Sequence, residues 1–187
     1  MHATVSDFVS DIVQNSIESG ASQIGVSIAE DRDELVVTVS DNGKGMSEEV
    51  LQRVSDPFHT EAGKHDNRKV GLGIPFLIQA VEAVGGQFSI ETEVGRGTTV
   101  LFSFMTNHID CPPLGSIVMA IVSMLAFDGP YQMIVTRSKE HEHGTSEYEI
   151  DRHELLEVLG DFSLSGNLQL LKTYVDSQES ALHEQGI

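Results

Sequence analysis

Asp11 and Asn15 stand four residues apart in a segment where Val5, Phe8, Val9, Ile12, Val13 and Ile17 recur at helical spacing. The carboxylate and the amide therefore lie one above the other on the same helix face. An amide oxygen so placed can ligate a magnesium ion that also holds phosphate oxygens, and the carboxylate can orient and deprotonate a nearby hydroxyl or water. Alone, the pair reads as an ordinary solvated polar face. Three further motifs, in order along the chain, change that.

The second is Asp41-Asn42-Gly43-Lys44-Gly45-Met46, entered from Val36, Val37 and Val39. A valine-rich run is strand-forming, and the glycines let the backbone turn back sharply. A carboxylate fixed at the end of a buried strand can accept a hydrogen bond from an exocyclic amine such as adenine offers. The third is Val70-Gly71-Leu72-Gly73-Ile74, ahead of an apolar helix whose free N–H groups and positive dipole end suit a triphosphate. No strand leads into it and no third glycine follows, so it is not a dinucleotide fingerprint, and the chain has no Gly-x-x-x-x-Gly-Lys-Ser/Thr loop. The fourth, Gly95-Arg96-Gly97-Thr98-Thr99, is a tight turn able to give a second contact to the base.

Taken in this order, the motifs resemble the boxes of the GHKL superfamily: gyrase-type ATPases, Hsp90 chaperones, histidine kinases and MutL repair proteins. The resemblance covers residues 4–105. Asp11 to Ser22 is most similar to the MutL type, whereas Asp56-Pro57-Phe58-His59-Thr60 and the stretch from Val70 to Phe104 resemble the ATP-binding domain of histidine kinases. It implies the Bergerat fold, an α+β two-layer sandwich with a mixed, mainly antiparallel sheet covered on one face by helices. It also implies that Asn15 ligates magnesium, that Asp41 recognises the adenine amine, that Gly45 lies under the base, and that Gly43 and Met46 belong to the nucleotide-binding set. Thr98 would bind the base through water, Val70, Gly71, Leu72 and Gly73 would line the phosphates, and residues 56–70 would be a lid.

Two departures from the family pattern bear on chemistry. Sensor kinases carry a phosphoacceptor histidine on a long helix pair ahead of the ATP domain. Here 14 residues precede Asn15, so the expectation is that sensor-type self-phosphorylation is not this chain's chemistry. The position four before the asparagine is usually glutamate in the ATPases and in the anti-sigma serine kinases, where it acts as general base. Asp11 keeps the carboxylate one methylene shorter, and a misplacement of about 1 Å matters for attack geometry. Lys69 stands where many sensor kinases have glycine. It resembles the anti-sigma serine kinases, in which a basic residue approaches the terminal phosphate; Arg68 is the substitute, and a solvated lid charge is the alternative.

Positioning these residues falls to elements legible in the pattern. Residues 4–19 form an amphipathic helix ended by Gly20, Gln23 to Ala29 and Leu35 to Ser40 are strands, and Ser47 caps a short helix. Residues 55–70 lack periodicity. A helix from about Gly73 to Val84 stops at Gly85-Gly86, and Phe88 to Glu93 and Thr98 to Phe104 form a hairpin. Beyond the linker Asp110-Cys111-Pro112-Pro113, the spacing predicts an apolar helix over Leu114 to Phe127, a hairpin of Tyr131 to Thr136 with Ser146 to Ile150, and helices over Asp151 to Leu159 and Asn167 to about Leu182. The organisation expected is an ATP-binding domain over residues 1–106 and a small C-terminal α/β appendage over residues 107–187. The apolar helix is either buried within the chain or a homodimer contact.

The chain has 187 residues and a net charge of −18, from 11 Lys+Arg against 29 Asp+Glu. Such a surface repels phosphate backbones, which argues against nucleic acid and against a MutL-like repair role. No apolar run reaches the roughly 18 residues that span a bilayer, and no charged-then-apolar leader opens the chain. The single Cys111 forms no internal disulfide, so a reducing cytoplasm is expected. It lacks a basic neighbourhood, and His141-Glu142-His143 reads as a solvated turn. The expectation is a cytoplasmic signalling protein that binds ATP or ADP with magnesium and acts on an unidentified protein partner. It either hydrolyses ATP slowly, transfers phosphate to a partner serine, or only senses the nucleotide.

Overall fold

The structure, a computed structural model, describes residues 4–55 and 73–184. Its elements are α1 (Val5–Glu18), β1 (Gln23–Glu30), β2 (Glu34–Asp41), α2 (Glu48–Ser55), α3 (Gly73–Ala83), β3 (Phe88–Glu93), β4 (Gly97–Met105), α4 (Ile117–Ala126), β5 (Gln132–His141), β6 (Gly144–Asp151), α5 (Arg152–Leu159) and α6 (Ser165–Glu184). The strands form a single mixed sheet in the order β3-β4-β2-β1-β5-β6. All neighbours are antiparallel except β1 and β5, which run parallel.

Alternation along the strands sends Ile24, Val26, Ile28, Leu35, Val37, Val39, Val100, Phe102, Phe104, Met133, Val135 and Ile150 into one core. Helices α1, α3, α4 and α6 supply the opposing residues, among them Phe8, Val9, Leu77, Ile121, Leu125, Leu171 and Val175. Ser27, Thr38 and Ile134 point the other way and are more exposed, as expected of a sheet covered on one side. This is the α+β two-layer architecture expected. Among the described residues no helix is long and apolar enough to cross a membrane.

The ends of α1 fix its position. Thr4 and Asp7 form a reciprocal capping box, and Val5 and Ser6 donate their N–H groups to Pro113 O and Leu114 O, tying the helix start to the connector after β4. Ser47 caps α2, its hydroxyl accepting from Val50 N. Gly85, at φ +71, ends α3, with the Gly86 N–H returning to Val81 O.

The segment after residue 107 continues the same layers. Strand β5 pairs with the full length of β1, Gln23 opposite Gln132 to Glu30 opposite Lys139, and β6 follows as the edge. The apolar helix lies between α1 and α6, with Ile121 and Leu125 fully buried. It starts at Ile117 rather than at Leu114, because Gly115 takes φ +78 and Ser116 becomes the N-cap, accepting from Met119 N. Its C-terminal carbonyls are capped by Arg152, which donates to Leu125 O and Phe127 O and lies 4.1 Å from the Tyr131 ring centroid. The hairpin is longer than the pattern predicts: β5 runs on through Arg137 to His141, and β6 starts at Gly144.

Candidate functional site

The second and fourth motifs meet where α1 ends over the last residues of β2. Asp41 closes β2, and neither of its carboxylate oxygens is left to water alone. Ser16 Oγ donates to Oδ2 at 2.8 Å and Gly43 N–H donates to Oδ1 at 2.8 Å. Ser16 lies on the buried side of α1, at 5% exposure. The following turn is stitched to the same helix end, with Ser19 Oγ donating to Ser16 O and Lys44 N–H to Ser19 O. Asn42, the residue after the aspartate, is structural: its Oδ1 accepts from Ser22 N and Gln23 N, anchoring the start of β1.

Across the sheet, Asp41 pairs in register with Thr98 on β4, and Thr98 with Thr92 on β3. The Thr92 hydroxyl gathers this corner: it accepts from Met46 N at 2.9 Å, donates to Gly97 O at 3.0 Å and lies 3.0 Å from Thr98 Oγ1. An open cavity of about 290 Å3 borders Asp41, Thr92, Arg96, Gly97 and Thr98. The glycines are steric requirements. A Cβ on Gly45, whose φ is +60, would stand 2.0 Å from Glu93 O, and one on Gly97, at φ +109, would stand 1.9 Å from Asp41 O. Gly45→Ala is expected to cost about 1–3 kcal/mol, as left-handed strain plus a backbone clash. Urea unfolding monitored by circular dichroism checks this; an unchanged midpoint would refute the packing described.

Asp11 and Asn15 both lie on α1, Asn15 exposed and Asp11 partly buried. The Asp11 carboxylate reaches the first residue of α3: a Cβ on Gly73 would stand 1.6 Å from Asp11 Oδ2. An acidic group beside a helix N-terminus is stabilised there. Lys69, Val70, Gly71 and Leu72, and the expected lid at 56–70, lie outside the described residues.

The other candidate clusters resolve into structure. His141 Nε2 hydrogen-bonds Leu182 O, and among the described residues no three His, Cys, Asp or Glu side chains gather as metal ligands. Burial pushes the Cys111 thiol up, away from an activated thiolate. Ser16 and Thr92 were not legible as site residues. The available signal for Ser16 was its spacing, since it follows Ile12 and Val13 by four and three residues and so falls on the buried stripe.

Residues 3–108 match the family described as histidine kinase-, DNA gyrase B- and HSP90-like ATPase. The chain belongs to this family. Membership implies binding of ATP or ADP in a family of signalling and regulatory ATPases. Similar proteins include Sporulation kinase E of Bacillus subtilis, 34% identical over 90 residues that cover 46% of this chain and 12% of the kinase. Signal transduction histidine-protein kinase AfsQ2 of Streptomyces coelicolor is 31% identical over 106 residues, 56% of this chain and 19% of that protein. Sensor histidine kinase YxdK of Bacillus subtilis is 28% identical over 102 residues, 52% of this chain and 31% of the kinase. The chain thus spans less than a third of the length of these relatives.

Two solved structures share the fold over 86% of this chain, each at 14% identity. They are the N-terminal domain of a DNA repair protein, at a TM-score of 0.56 over 58% of that chain, and the Aquifex aeolicus MutL ATPase domain complexed with ADP, at 0.52 over 70% of that chain.

Proposed function

We propose that the chain binds Mg-ATP at this corner and, in the reducing cytoplasm, either hydrolyses it slowly or passes its terminal phosphate to a serine of a protein partner. The observation that carries the proposal is the clamped Asp41 carboxylate, held by Ser16 and Gly43 N–H and faced across the sheet by Thr98. A half-buried acid so held is an acceptor suited to the adenine amine, and the Thr98 hydroxyl suits a water-mediated contact. Gly45 and Gly97 keep the backbone close on either side of the base.

The donor set fits magnesium of the kind nucleotides bring. The ion prefers oxygen ligands and takes few from the protein when phosphates supply the rest, and the exposed Asn15 amide would be such a single ligand. When bound, it would neutralise charge on the phosphates, which matters in a chain of net charge −18. Asp11 would accept the proton of the attacking hydroxyl or water at its carboxylate as the terminal P–O bond to ADP breaks. Val70, Gly71, Leu72 and Gly73 would line the phosphates, and Lys69 would approach the terminal one.

One observation favours a second reading, in which ATP and ADP only set the shape of a partner surface. Asp11 is already packed against Gly73, which makes its carboxylate part of the α1–α3 contact. Incubation with γ-labelled ATP, magnesium and a cell lysate separates the two. Label on a protein indicates a kinase and free phosphate an ATPase. Under the enzyme reading, Asp11→Asn leaves nucleotide affinity within about twofold and lowers turnover at least about tenfold. Turnover absent from the parent chain, alone and with lysate, leaves the sensor reading.

A further inference from the structure

The geometry points to Ser16 as a specificity-determining residue that acts through Asp41, making the site select a purine with an amine at its six-position over one with a carbonyl there. This rests on the nucleotide reading above and adds to it the residue that sets base choice. Nothing in the motif pattern marks Ser16, which sits on the buried stripe of α1 between Val13 and Ile17.

The argument is one of donors and acceptors. A carboxylate can turn either its lone pairs or, when protonated, its O–H toward a ligand. At Asp41 both oxygens already receive a donor from the protein: the Ser16 hydroxyl on Oδ2 and the Gly43 N–H on Oδ1, each at 2.8 Å. An N–H can only donate, so Gly43 fixes the sense of one oxygen. Ser16 fixes the other and also the plane of the group, since two bonds from different elements, α1 and the turn after β2, leave the carboxylate no free rotation. What remains toward a base is lone pairs alone. An adenine amine offers N–H and completes the set. The six-carbonyl of hypoxanthine would bring lone pairs against lone pairs in this half-buried corner.

Ser16 has another available partner. A serine inside a helix can turn its hydroxyl to the carbonyl four residues back. Here it donates to Asp41 instead, while the carbonyl of Ser16 itself accepts from Ser19 Oγ at 2.7 Å. The helix end and the acid are therefore held as one unit.

Calorimetry of ADP and IDP with magnesium, on the parent chain and on Ser16→Ala and Ser16→Thr, tests this. Alanine is favourable in a helix and smaller than serine, so the variant is expected to fold. The parent is expected to prefer ADP. Ser16→Ala is expected to weaken ADP about tenfold and IDP less than twofold, so that the ADP-to-IDP ratio falls about tenfold. Ser16→Thr, which keeps the hydroxyl, is expected to hold the parental ratio and is informative even if the alanine variant does not fold. A packing role alone would weaken both nucleotides alike, so an unchanged ratio in Ser16→Ala, or a collapsed ratio in Ser16→Thr, overturns the assignment of Ser16 and leaves the nucleotide site standing. A parent chain that binds neither nucleotide overturns the site itself.

Discussion

Asp41→Ala is expected to weaken ATP and ADP binding by roughly 100- to 1000-fold, about 3–4 kcal/mol. Two losses combine. The charge-assisted hydrogen bond to the adenine amine disappears, worth about 1.5–3 kcal/mol, and the amine is left in a partly dehydrated corner without an acceptor. Ser16 Oγ and Gly43 N–H also lose their partner, but the corner opens on a cavity of about 290 Å3 that water can enter, so folding should be affected much less than binding. Calorimetry with saturating magnesium measures the first effect and urea unfolding the second. A variant that binds adenine nucleotides as well as the parent would remove the proposed pocket.

The second large effect concerns stability. Arg137 is fully buried on β5, where its guanidinium meets Glu30 of β1 and Glu179 of α6, with Nε 3.2 Å from Glu179 Oε1. Lys139 Nζ lies 2.7 Å from the other oxygen of Glu30, and Tyr148 O–H donates to Glu179 Oε1 at 2.6 Å. Burial and the hydrogen bond to the Glu179 carboxylate push the Tyr148 phenol well above its usual range, so it stays a donor. Removing the cation takes their buried guanidinium partner from two carboxylates at 20% and 10% exposure, leaving Lys139 on Glu30 and Tyr148 on Glu179. Arg137→Ala is therefore expected to destabilise by about 3–5 kcal/mol, read as a lower urea midpoint.

The same cluster predicts a pH dependence. Burial pushes the Glu30 carboxyl up, but hydrogen bonds and charge from Lys139 and Arg137 outweigh it and hold the group below its ordinary value of 4.5. Its contribution to stability is complete above the unfolded-state value and is lost as the pH falls through the lower folded-state value. Unfolding midpoints of the parent should therefore drop on acidification below about pH 4.5, and those of Arg137→Ala should drop less. An equal drop in both would show that this cluster does not carry the acid sensitivity.

These two sites were unequally legible. Asp41 could be named because a valine-rich strand ending in Asp-x-Gly-x-Gly is a local pattern, and local patterns survive in the chain order. The sequence pattern predicts a strand over Tyr131 to Thr136, ending one residue before Arg137. It continues because Glu30 and Glu179, 107 and 42 residues away, meet the charge. Helix α4 shows a smaller form of the same effect: its composition marked it, but its start is set where Gly115 turns at φ +78 and Leu114 O is held by Ser6.

The amino-acid order by itself determined the identities that chemistry requires. It set out a carboxylate and an amide one helical turn apart, an acid at a strand end, glycines where an added Cβ would stand 2.0 Å or less from a backbone oxygen, and a threonine across the hairpin. These follow from residue type and short-range periodicity. Tertiary structure alone decided that a helix serine clamps the acid, that the carboxylate of Asp11 meets the first turn of α3, and that β5 lies parallel to β1 and extends the same sheet. Each of those is a contact between segments far apart in the chain, fixed by which apolar faces bury together, and no local spacing encodes it.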